Sequence, residues 1–311
     1  MIGRRDVDGF EALTIGSSDP DGIELAVVPE AGMVGCSLSH RGEELLGQRG
    51  GLRTYVADRS TMGIPLLHPW ANRVARRHLS TAGREVDLSA RPELISLDPN
   101  GLPIHGLLAA ARGWSVERHE DTPDGPRLAA EFDFDEHEDL MAVFPFPHQL
   151  RIDARIADQT LTITTMVHAS GDVAVPISFG YHPYFRLPGV ERSAWIVEMP
   201  VSERVVLDSE QLPVGELESV DVPDGPLGER TFDDGFAAPV EPFALEGGGR
   251  RIEVSFDRGY PYAQVYAPND DNVIAFEPMT APTNALVSGQ DLKLIEPGES
   301  HEAIFSVTVS G

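Results

Sequence analysis

The sequence predicts an all-β protein, a single large antiparallel β-sandwich domain spanning residues 1–311. Three observations carry this. Apolar and polar residues alternate over short runs, the period of a strand with one covered face. Frequent turn residues, 30 glycines and 25 prolines among 311 residues, punctuate those runs. No segment carries a long 3.6-residue apolar stripe with a cap at each end. At roughly 10–12 residues per strand and turn, the chain holds more than about 20 strands, beyond the seven to nine of an immunoglobulin-like sandwich. Two broad sheets whose apolar faces cover each other are the economical solution.

In chain order, Ile23 to Pro29 alternates, Glu30-Ala-Gly32 turns, and Met33 to Ser39 returns, followed by a turn at Arg41-Gly-Glu-Glu44. Leu150 to Ile156 and Thr160 to Val167 read as a hairpin about Ala157-Asp-Gln159. Arg251 to Phe256 follows the Gly247-Gly-Gly249 turn, and Ala263 to Tyr266, Val273 to Phe276 and Ala303 to Val309 complete a β-rich C-terminal half. Asp221 to Gly228 reads as a long loop, and no low-complexity linker or internal repeat divides the chain.

Composition narrows the function. A hydrophobic content of 41% supports a folded core, while the net charge of −26 argues against nucleic acid or an anionic membrane surface as partner. Lys293 is the only lysine, which leaves little room for Schiff-base chemistry or a lysine-headed phosphate loop. Cys36 is the only cysteine, so neither an internal disulfide nor a thiolate metal cluster can form. The charged start Met-Ile-Gly-Arg-Arg lacks an apolar run behind it, and no segment reaches the ~20 apolar residues of a membrane span. A cytoplasmic address is expected.

Candidate chemistry falls in four clusters and one C-terminal stretch. Asn72 and Arg73, in Gly63-Ile-Pro-Leu-Leu-His-Pro-Trp-Ala-Asn-Arg73, offer donors beside Trp70, whose ring could stack on a ligand; a turn arginine would read the same. His105 lies in apolar company, as a hydrogen-bonded core histidine also would, and Gly106 lets another backbone come close. His182, in Phe179-Gly-Tyr-His-Pro-Tyr-Phe-Arg186, is held extended by Pro183 among aromatic residues. Asp233 and Gln264 could hold ligand hydroxyls or simply face water. Finally, Val273-Ile-Ala-Phe-Glu-Pro-Met279 puts one carboxylate, Glu277, at the end of an apolar strand, sharing a face with Val273 and Ala275 and held extended by Pro278. It reads either as a proton-transfer group or as a solvated carboxylate. The remaining histidines lack metal-ligand spacing, Glu136-His-Glu-Asp139 reads as a solvated loop, and no nucleophile elbow, dinucleotide fingerprint or Walker loop is present.

Taken in order, Asn72-Arg73, His105-Gly106, His182-Pro-Tyr-Phe185, Asp233, Gln264-Val-Tyr266 and Glu277 resemble the aldose 1-epimerase (galactose mutarotase) family, from about residue 20 to the C-terminus. The resemblance implies that family's large β-sandwich, or supersandwich. It implies a mutarotase that interconverts the anomers of aldohexoses, with Glu277 as general base, His182 as general acid, and Asn72, Arg73, His105, Asp233 and Gln264 as sugar contacts. Ring opening and reclosure need no cofactor and no metal; the partner implied is a small sugar. Gly63-Ile-Pro and Pro69-Trp70 are also similar to the hexose-6-phosphate epimerase branch, for which Arg76, Arg77, Arg112 and Arg186 would be the phosphate candidates. A carbohydrate-binding protein that kept the groove and lost turnover is the alternative of a different class.

Overall fold

The computed structural model describes residues 1–311 and is built of antiparallel strands. A nine-stranded sheet runs from Ser115–Thr122 through the hairpin His148–Ala157/Thr160–Ala169 to Ser300–Ser310, Arg250–Arg258 and Phe243–Gly247. An eight-stranded sheet centres on Phe232–Ala237, Tyr262–Ala267 and Ile274–Met279, with short strands Gly180–Tyr181, Tyr184–Phe185 and Leu66–Leu67 beyond. A third sheet, of five N-terminal strands, joins the two expected ones. Helices are short, the longest being Gly51–Asp58.

The alternation of the sequence explains the layering. Thr160–Ala169 buries every second residue, with Leu161, Ile163, Thr165 and Val167 inward. The facing layer contributes Phe276, stacked on Phe243 of the nine-stranded sheet at 5.0 Å between ring centres, and Tyr181, 5.0 Å from Phe305. One apolar cluster runs from Leu13 to Val309 and takes side chains from all three large sheets. The hairpin turn is two residues long, because Ala157 pairs with Thr160. Asp158 and Gln159 both have positive φ (52° and 63°), the twist that a two-residue hairpin turn requires.

The strand that carries Glu277 is longer than the sequence suggests. It runs Ile274–Met279, so Glu277 lies inside it and not at its end, and Pro278 is a strand residue. A central strand tolerates this proline because of its neighbours. Glu277 pairs with Gln264 on one side; on the other, pairing lapses between Gly180↔Met279 and Tyr184↔Ala275. The Pro278 carbonyl points toward that interrupted side, close to Gly180, so the missing N–H costs no ladder bond there. The lapse is where Tyr181, His182 and Pro183 pass.

Candidate active site

Strand phase sets the site. Phe276 points into the core, so Glu277 projects from the opposite face of the eight-stranded sheet. Register then places Gly235, Gln264 and Glu277 in one cross-strand row, and Asp233, Tyr266, Ala275 and Tyr184 in the next row on that face. Above these rows lies a cavity of about 550 Å³, the size of a small-ligand site. Its walls include Asn72, Arg73, His105, His182, Asp233 and Glu277, brought together from five separated parts of the chain, and residues from 57–61 and 93–99 line it as well.

His182 and Glu277 meet: Nε2 lies 3.2 Å from Oε1, with side chains 6% and 2% exposed. His182 takes its place through its backbone, since its N–H donates to Pro65 O and that of Tyr184 to Gly63 O. The Tyr184 ring stacks on the imidazole at 4.0 Å, while His105 and Tyr266 stand edge-on at 5.5 and 5.6 Å. His182 Nδ1 is buried without a partner, which favours the tautomer that carries its proton on Nε2, toward Glu277. Glu277 Oε2 is likewise buried without a partner.

Burial sets the protonation of the pair. It pushes the Glu277 carboxyl well above the ordinary carboxylate range, helped by the charge of Asp233 and opposed by Arg73. It pushes His182 well below the ordinary imidazole value, reinforced by His105 and the Arg49 cation. His105 is pushed down to about 3 by burial and then by Arg73 and Arg49. Both imidazoles are therefore neutral near pH 7, and the carboxyl is poised closer to neutrality than a solvated glutamate.

Arg73 is the hub of the opposite wall. Its Nε donates to Asp98 Oδ2 at 2.8 Å, Nη2 to Asp233 Oδ2 at 3.1 Å and Nη1 to Asn72 Oδ1 at 3.2 Å. Burial opposes the Arg73 charge, but Asp233 and Asp98 outweigh it and raise its pKa. The loops beneath are locked together: the N–H of His105 donates to Asn72 O, that of Leu107 to His68 O, and that of Asn284 to Arg73 O. Gly106 sits at φ 72°, and a Cβ there would lie 2.2 Å from His68 O, so the close backbone approach expected at this glycine is made by His68.

Two expected contacts fall elsewhere. Gln264 stands behind the cavity wall, where its amide donates to Asp233 Oδ1 at 2.8 Å and orients that carboxylate. Trp70 is 1% exposed in the core and is not part of the cavity lining, so its ring offers no ligand surface. Arg76, Arg77, Arg112 and Arg186 do not line the cavity either. The arginines that do, besides Arg73, are Arg49 and Arg59, which the sequence reading missed along with Asp98. Asp98 sits in Asp-Pro-Asn-Gly, and its Oδ1 accepts from the N–H groups of Asn100 and Leu102; that turn signature concealed the second oxygen that holds Arg73.

The broad antiparallel sandwich is the fold of galactose mutarotase-like proteins. The fold matches that of a galactose mutarotase-like protein from Clostridium acetobutylicum at a TM-score of 0.84, with 17% identity, over 100% of this chain and 98% of the other. It also matches the Slr1438 protein from Synechocystis sp. PCC 6803 at a TM-score of 0.76, with 23% identity, over 100% and 96%. In sequence, the chain is 26% identical over 262 residues to the uncharacterized protein YihR of Escherichia coli strain K12, covering 78% of this chain and 80% of YihR. The sequence model of the aldose 1-epimerase family matches residues 28–308, and the chain belongs to that family.

Proposed function

We propose that the protein is a mutarotase acting on aldohexoses, with Glu277 as general base and His182 as general acid. The observation that carries this reading is the buried contact of 3.2 Å between His182 Nε2 and Glu277 Oε1 at a polar cavity. In its carboxylate form Glu277 takes the proton of the anomeric hydroxyl. As the bond from the anomeric carbon to the ring oxygen breaks, that oxygen takes the Nε2 proton of His182, and the proton gained by Glu277 passes to Nε2 across the 3.2 Å contact, so the imidazole stays neutral. The open aldehyde rotates about the bond to the next carbon, and reclosure on its other face reverses these proton transfers. Each positioned acid or base supplies roughly 10² to 10⁴ in rate.

Asn72, Arg73, His105 and Asp233 hold the sugar hydroxyls in this reading, and Gln264 acts through Asp233. None of Arg76, Arg77, Arg112 and Arg186 lines the cavity, so a 6-phosphate there would have to be met by Arg49 or Arg59, and free and phosphorylated sugars are tested side by side. Residues 1–311 would act as one domain, because one apolar cluster spans them. The test is polarimetry of freshly dissolved α-D-glucose and α-D-galactose, alone and as 6-phosphates, with wild type and Glu277→Gln. Acceleration by wild type and its loss by a factor of roughly 10² or more in Glu277→Gln is expected. No acceleration on any of these sugars leaves a carbohydrate-binding protein; acceleration that survives Glu277→Gln removes Glu277 as base.

A further inference from the structure

Arg49 lines the cavity, yet it has no place in the scheme above. It sits at φ 44°, a backbone conformation that arginine pays for, in the loop Gln48-Arg49-Gly50-Gly51. Its guanidinium lies over the Tyr184 ring, 4.9 Å from the ring centre, and Nη1 donates to the Tyr184 hydroxyl at 3.0 Å. Thr61 Oγ1 holds the same hydroxyl at 2.6 Å. Tyr184 in turn stacks on His182. Arg49, Tyr184 and His182 therefore form a pile in which the cation is no more than about 9 Å from the imidazole. At the rim, Asp271 accepts from Arg49 Nε at 3.2 Å and is one-third exposed.

We propose that Arg49 is a positioning residue for His182: it pins Tyr184 against the imidazole and places a positive charge behind it, so that His182 meets the substrate as a neutral N–H donor. The proposal rests on the reading of His182 as the proton donor. The groups around His182 divide accordingly. Glu277, on the strand Ile274–Met279, would stabilise an imidazolium in its carboxylate form. His105, across from the ring, is itself neutral, and Tyr266 and Tyr184 are phenols whose pKa values are pushed up by burial. Arg49 is thus the cation that opposes Glu277 at this ring, and its influence on both His182 and His105 has the same sign. Asp271 partly neutralises it, which makes the rim carboxylate a tuning group acting through Arg49.

The test reads the His182 charge directly. Histidine-labelled protein is titrated by ¹⁵N NMR, with the His182 resonance assigned by its loss in His182→Gln, and kcat/KM for α-D-glucose is measured across the same pH range. Arg49→Met should raise the His182 midpoint by about one pH unit, the effect of a unit charge ~9 Å away at an effective dielectric of about 20, and should lower kcat because Tyr184 loses its hold. Arg49→Lys should restore the midpoint while kcat stays reduced, because the charge returns without the fork that holds Tyr184. Asp271→Asn should move the midpoint the other way, and this rim substitution carries the test if Arg49→Met fails to fold. A His182 midpoint unmoved in the folded variants, or an Arg49→Met effect confined to KM, overturns the proposal. If wild type accelerates no aldose, the functional reading falls, and the NMR midpoints still decide whether Arg49 sets the His182 charge.

Discussion

His148 offers a prediction about acid stability that follows from tautomers alone. It is fully buried, stacked on Phe134 at 4.3 Å, with Nδ1 2.6 Å from Phe146 O and Nε2 2.7 Å from Nε2 of His68. A carbonyl can only accept, so His148 Nδ1 carries a proton. In the neutral ring Nε2 then accepts, and the proton between the rings belongs to His68, whose own Nδ1 is left buried without a partner. There is no second acceptor for another proton on His148, and burial pushes its pKa down to about 4 from the ordinary 6.5. A base with a depressed folded pKa contributes stability that is present above 6.5 and lost as pH falls toward 4, because the unfolded chain binds one proton more in that window. The slope is about 1.4 kcal/mol per pH unit, so His148 alone should cost about 3 kcal/mol between pH 7 and pH 4. Glutamine can donate to Phe146 O and accept from His68 without titrating. The assay is urea unfolding of wild type and His148→Gln at pH 7, 6, 5 and 4, compared as a difference at each pH to cancel the other histidines. The stability of wild type should fall relative to the variant by about 2 kcal/mol by pH 5 and about 3 kcal/mol by pH 4. Parallel pH profiles, or a His148 resonance that titrates near 6.5, would refute the tautomer argument.

Two further substitutions probe the site's frame. Arg73→Ala strands Asp98, whose side chain is 1% exposed, and should cost about 3 kcal/mol of stability by urea unfolding. It should also raise KM for an aldose by roughly 10- to 100-fold, the worth of one charge-assisted hydrogen bond; an unchanged KM would deny Arg73 a ligand role. Gly106→Ala must place its Cβ against the His68 carbonyl at a φ that suits glycine, so the loop bearing His105 has to move. A loss of about 3 kcal/mol and a clear drop in kcat/KM are expected, and wild-type values for both would show that the contact yields freely.

The sheets were legible in the sequence because their signal is local. The two-residue period of Thr160 to Val167 marked a strand, and the same period put Glu277 on the opposite side from Phe276 before any partner strand was known. Pro278 misled about the strand's end because a proline's cost depends on whether a neighbour waits for its N–H, which only register reveals. Gln264 illustrates the same limit. Its phase puts it opposite Glu277, but only the Asp233 carboxylate on the adjoining strand turns its amide away from the cavity.

The cavity's loops were hidden for a different reason. Arg49, Arg59, Asn72 and His105, which line the cavity, and Asn284, which braces it, all have positive φ, between 44° and 68°. Local propensity argues against most of these placements, since left-handed backbone costs a side-chain-bearing residue about 1–2 kcal/mol. Such strain persists only where the surroundings over-determine the backbone. They do so here: His105 N–H is tied to Asn72 O, Asn284 N–H to Arg73 O, Ala75 N–H to Asn284 Oδ1, and Arg59 Nη1 to Leu94 O and Leu107 O. None of these ties joins neighbours within a strand, so no periodicity announces them. The sheet thus fixes the proton-transfer pair through local pattern and register, while strained, cross-braced loops fix the groups that would hold a sugar. Asn72, Arg73 and His105 could be picked out by residue type and order, but the ties that hold their loops show only in the backbone angles and hydrogen bonds.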